Sequence, residues 1–64
     1  MEFIILTNNV DGSPILLNVK DISCVIKRED TWAVFLLSDP DAEINIKESA
    51  IKVAAILKKD VSNN

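Results

Sequence analysis

The sequence contains no histidine, no tyrosine, one cysteine and one tryptophan. Each shortage removes a class of function. Without histidine the commonest general base and zinc ligand are missing, and the lone Cys24 completes no zinc spacing. Cys24 also has no partner for an internal disulfide, so the usual staples of small domains are absent. One cysteine within an apolar stretch acts as a small hydrophobe and suits a reducing compartment, so a cytoplasmic location is expected. Alternating with Ile22 and Ile26, its thiol is expected to be buried and inert. No apolar run reaches the roughly 20 residues that span a bilayer. "EFIILT" opens with an acid and lacks the basic flank of a signal peptide. No membrane span, targeting segment, metal or cofactor is therefore expected.

Catalysis is poorly supplied. An enzyme would have to use paired carboxylates or an activated lysine in a cleft, and 64 residues enclose little volume for one. Asp39, Asp41 and Glu43 alternate as calcium ligands might, but Pro40 holds the corner where such a loop needs glycine, and a strand follows. They are expected to form a solvated turn. The sequence implies no enzyme.

What the chain does have is aliphatic bulk. Nine Ile, six Leu and six Val help bring the apolar fraction to 48%. A chain of 64 residues buries only about 60% of its unfolded surface, too little to hide so many large side chains easily in a lone monomer. A homo-oligomer, with a dimer favoured, or a complex with another protein resolves the surplus.

The pattern predicts a single α+β domain over residues 1–59, with 60–64 as a frayed tail. Five strands are expected: "EFIILT", "PILLNV", "ISCVIKR", "TWAVFLLS" and the short "INI". Asp11-Gly12 is a hairpin signal, because glycine accepts a positive φ, and Pro14 can open the second strand. In the second strand Ile15, Leu17 and Val19 share one face and Leu16 the other. In the fourth, Trp32, Val34 and Leu36 oppose Ala33, Phe35 and Leu37, so both faces are apolar. These strands should form a curved, mainly antiparallel sheet of four or five strands, packed by one C-terminal helix starting near Glu48. At 100° per residue Ala50, Val53, Ala54, Leu57 and Val61 form the expected core stripe, with Ile56 at its margin. Ile51 and Ala55 fall outside it. They join Leu16, Val25, Trp32 and Phe35 as candidate interface residues.

Lys47, Lys52, Lys58 and Lys59 edge the helix, and Lys27 and Arg28 end a strand. They are the candidate phosphate contacts for an alternative function, a small nucleic-acid-binding regulator. The net charge of −3, the absence of tyrosine and the lack of an Arg-rich stretch argue against it.

Nearly the whole chain resembles a family of small bacterial proteins, FlbD or SwrD, linked to flagella and swarming motility. The likeness rests on Leu6-Thr7, Gly12, Leu17-Asn18, Ile22 with Val25, Thr31 with Val34 and Leu36, and Ile46-Lys47-Glu48-Ser49 before "AIKVAAIL". The chain departs in having "SDPDAE" where the family has a glycine-containing turn, and a longer first turn. The resemblance implies the fold above and, through relatives in phage-like settings, a motility- or phage-related role. The expected function is a non-enzymatic interaction module or accessory factor.

Overall fold

In the computed structural model, residues 2–61 are described, with side chains through Lys58. The chain runs β1 (Phe3–Thr7), β2 (Pro14–Asn18), a 3-10 turn (Val19–Asp21), β3 (Ile22–Lys27), β4 (Trp32–Leu36), β5 (Glu43–Ile46) and α1 (Ala50–Val61). It is an α+β fold in which β1 and β2 form one antiparallel sheet and β3, β4 and β5 another. The two sheets join where Lys47 N–H donates to Thr7 C=O (3.0 Å) and Asn9 N–H to Asn45 C=O (3.0 Å), around an Asn8–Ile46 bridge.

The core lies between these sheets. Ile4 and Leu6 of β1, Leu17 of β2, Val34 of β4, Ile46 of β5 and Val53 of α1 form one buried cluster. The faces expected of β2 and β4 hold, with Ile15, Trp32 and Leu36 packed against the core, and Ile44 of β5 packs there as well.

The β1–β2 turn is built as its residues dictate. Asn8 Oδ1 accepts from Val10 N–H (2.7 Å) and Asp11 Oδ1 from Ser13 N–H (2.9 Å). The Ser13 bonds hold the Asp11 carboxyl below its ordinary pKa. Gly12 sits at φ 78°, in the region glycine enters freely. The expected bend at Lys20-Asp21 is a 3-10 turn, with Asn18 Oδ1 capping Lys20 N–H at 3.0 Å. Asp21 then clamps the end of β4, accepting from Ser38 N–H (2.8 Å) and Ser38 Oγ (2.6 Å) while its own carbonyl takes Leu37 N–H (2.7 Å).

Two expectations fail. In β3, Ile22 pairs with Leu36 but Cys24 with Phe35, so Ser23 is an extra residue and the strand is bulged. Beyond the bulge the faces exchange, because a shift of one residue turns every side chain over. Val25 therefore faces the core opposite Val34, and Cys24 and Ile26 are exposed. Cys24 is not a buried thiol.

In α1, Ala54 is exposed, while Ile56 packs on the core beside Val53 and Leu57. The buried stripe is turned roughly 50° from the expected one at 100° per residue. Size decides this: an isoleucine side chain returns far more on burial than a methyl group. The side chain of Val61 lies outside the described residues, as do residues 62–64 of the expected tail. Asp60 and Val61 continue the helix.

Nothing lies within 4 Å of a Cβ placed on Gly12, so only the backbone opposes substitution there. Gly12→Ala should cost about 1 kcal/mol in urea unfolding, and Gly12→Asn clearly less, since asparagine tolerates the left-handed region.

Candidate protein interface

Three stretches that carry the family resemblance meet at one point. Leu6-Thr7 ends β1, Lys47-Glu48-Ser49 leads into α1, and the Glu48 carboxylate joins them. Its Oε1 accepts from Thr7 N–H at 2.9 Å and its Oε2 from Thr7 Oγ1 at 2.8 Å, across 41 positions of chain. Ser49 Oγ accepts from Lys52 N–H at 3.2 Å, as an N-cap does. Thr31 belongs to the same frame, its hydroxyl donating to Ile46 C=O at 2.9 Å. Partial burial pushes the Glu48 pKa up. The Thr7 bonds, helped by its own N–H and by Lys52, more than offset this and leave it below its ordinary value. These residues secure the fold.

The candidate cations do not converge. Lys47 and Lys52 line an open concavity of about 360 Å³ with Thr7, Glu48 and Ser49. Arg28 lies in another of about 380 Å³, among Glu29, Asp30 and Glu43. There its guanidinium is committed, with Nε and Nη2 donating to the two oxygens of Glu43 at 3.0 and 3.1 Å. Lys58 is exposed, and the Lys59 side chain lies outside the described residues. Glu43, one of the alternating carboxylates, is thereby tied to Arg28. Among the described residues no cluster of three or more acidic or cysteine side chains could hold a metal ion.

Two of the candidate interface aromatics are roofed by cations. Lys27 Nζ lies 5.4 Å from the centre of the Trp32 ring, and the Arg28 guanidinium carbon 5.6 Å from that of Phe35. Such contacts stabilise the cation and cover apolar carbon. Trp32, Phe35 and Val25 are all half-buried, and Trp32 and Val25 pack against the core.

Leu16 is different. It is 63% exposed on the outer face of the β1–β2 sheet, directly opposite Ile5, which is 64% exposed. Phe3, two residues along β1 on the same face, is 46% exposed. No charged side chain occurs in either strand. These three residues make a contiguous apolar patch, of which the sequence pattern had singled out only Leu16. Ile5 and Phe3 could have been found by pairing the strands outward from the Gly12 turn, which sets Ile5 against Leu16. On α1, Ile51 is 82% exposed beside exposed Ala55, as expected of residues off the core stripe, and Ala54, expected on the stripe, is exposed with them. That second patch is smaller, and exposed Lys52 and Lys58 flank it.

Comparison of the chain with protein-family models, with curated proteins and with solved structures finds no match.

Since the folded pKa of Glu48 is depressed, its contribution to stability is complete above the unfolded value of about 4.3 and is lost as pH falls through the folded value. Glu48→Gln should lower stability at pH 7 by about 1–2 kcal/mol, through weakened bonds to Thr7. The gap between mutant and wild type in urea unfolding should narrow as pH falls from the unfolded value through the lower folded one.

Proposed function

We propose that this protein is a non-enzymatic interaction module that binds protein through the outer face of β1 and β2, as a homo-oligomer, with a protein partner, or both. One observation carries the reading: Phe3, Ile5 and Leu16 stand together in water on a sheet face without a charge. Isolated surface hydrophobes need no explanation, but a contiguous set on a rigid sheet marks a contact surface. The contrast within the molecule strengthens it, because the aromatic rings on the other sheet are covered by Lys27 and Arg28.

The absence of histidine and tyrosine, and open concavities whose carboxylates Glu48 and Glu43 are already bonded to Thr7 and Arg28, support a role without catalysis. The exposed free thiol of Cys24 suits a reducing, cytoplasmic setting. No helix among the described residues is long and apolar enough to cross a membrane. The likeness to the FlbD and SwrD proteins suggests a motility- or phage-related process, and the neighbouring genes would test that.

Ile5→Glu and Leu16→Glu, each at an exposed site, should leave thermal unfolding nearly unchanged while abolishing association. Light scattering on the purified protein over the micromolar range, and affinity capture with mass spectrometry, read self-association and partner binding respectively. Ile51→Glu is the comparison for the helix patch and should have the smaller effect. If neither substitution on the sheet changes mass or captured partners, the β1–β2 face is not the binding surface.

A further inference from the structure

The β1–β2 face ends in an open edge. Among the described residues, β2 is the last strand of its sheet, with β1 on one side and no strand on the other. The direction of its backbone groups follows from two bonds, Asn8 N–H to Ser13 C=O (2.8 Å) and Val19 N–H to Glu2 C=O (3.0 Å). In an antiparallel ladder bonded pairs alternate with unbonded ones, so Ile15 and Leu17 turn their N–H and C=O groups toward β1. Pro14, Leu16 and Asn18 turn theirs outward. Among the described residues, nothing bonds to the Leu16 N–H, the Leu16 C=O or the Asn18 N–H.

Natural sheets guard such edges with lysine, inward charges, bulges or proline. Here the strand "PILLN" carries no charge and no bulge. Its proline stands at the end, where it removes one donor and leaves the middle of the edge intact. The central residue of the five is Leu16.

From this edge we infer that a second copy of the chain pairs with the first through β2, antiparallel, about a two-fold axis at Leu16. The outward groups match in that register. Leu16 of each copy exchanges both bonds with Leu16 of the other. Each Asn18 N–H donates to the Pro14 carbonyl of the opposite strand, and the missing proline N–H costs little because the Asn18 carbonyl, at the N-cap, serves the 3-10 turn. Two β1–β2 ribbons become one four-stranded sheet. Its outer face then carries Phe3, Ile5 and Leu16 from both copies, a two-fold apolar platform twice as wide as the monomer's.

The proposal rests on the functional reading only in assigning that platform to a partner; the strand pairing stands on the backbone alone. A pairing of five residues per strand falls short of the roughly 800 Å² per partner of a standard interface. The dimer is therefore concentration-dependent, forming in the micromolar range or above.

Cross-linking fixes the register. On a Cys24→Ser background, needed because Cys24 is exposed, Leu16→Cys places two thiols on a bonded pair. The Cα atoms are then about 5.5 Å apart, within disulfide reach. Asn18→Cys sets its Cα atoms about 13 Å apart, and Ile5→Cys about 14 Å, both out of reach. Mild oxidation should give a covalent dimer from Leu16→Cys and little from the other two. The chain is short enough for chemical synthesis, and N-methylation of Leu16 should weaken dimerisation at least about tenfold by light scattering, with the side chain kept.

A protein that stays monomeric at millimolar concentration overturns the inference. So does a dimer that cross-links through Asn18→Cys, Ile5→Cys or Ile51→Cys but not Leu16→Cys. In either case, loss of a captured partner on Ile5→Glu would leave the interaction reading standing. Conversely, a Leu16-centred dimer that captures nothing would keep the pairing and remove the platform's assigned use.

Discussion

Everything in this fold depends on holding two small sheets together over one core. Neither sheet is sufficient alone, since a two-stranded ribbon is marginal in water and a three-stranded one needs a covered face. The join is made at one place, where Glu48 takes both the N–H and the hydroxyl of Thr7 and Lys47 N–H meets the Thr7 carbonyl. A carboxylate is the right group for this task. Its two oxygens satisfy two donors at a strand end that has no neighbouring strand to do so, and bonds to an ionised acceptor are stronger than neutral ones. With the ribbon fixed, Ile4, Leu6 and Leu17 face Val34 and Ile46, and Val53 of α1 completes the cluster.

The Leu6-Thr7 and Lys47-Glu48-Ser49 segments are the two halves of that join, and Thr31 supports the same junction through Ile46. Gly12 sets the hairpin. These residues specify an architecture, and an architecture can serve many tasks. The patch formed by Phe3, Ile5 and Leu16 stands apart from that join, on the opposite face of the ribbon from the core residues Ile4, Leu6 and Leu17.

Much of the fold was legible because period-two alternation and turn chemistry agree in most segments. "PILLN", "WAVFL" and "EINI" bury the faces their patterns indicate, and each lies next to a strong turn signal. β3 was not legible. "ISCVIK" alternates on paper with Cys24 beside Ile22 and Ile26, but both possible faces are apolar, so hydrophobicity cannot show that Ser23 is skipped. What selects the bulge is tertiary: Asp21 must reach Leu37 and Ser38 at one end while Val25 meets Val34 beyond it. The helix erred for a related reason. A wheel that weighs alanine like isoleucine misplaces the stripe, and the sheet beneath selected Ile56 over Ala54.

The apolar surplus of the composition can now be divided. Part is core, part lies beneath the charged ends of Lys27 and Arg28, and part is left bare, on the ribbon and also at Leu37 and Ile51. The division follows charge. The outer face of the three-stranded sheet has Arg28 at the end of β3 and Glu43 in β5, so a cation can lie across Phe35 and still find its partner at 3.0 Å. β1 and β2 have no such pair, and several polar residues at their ends are engaged elsewhere: Asn18 caps the 3-10 turn, Asn8 and Asp11 close the hairpin, and Thr7 is held by Glu48. Nothing within the ribbon roofs Ile5 and Leu16, and they stand exposed where the aromatic rings of the other sheet do not.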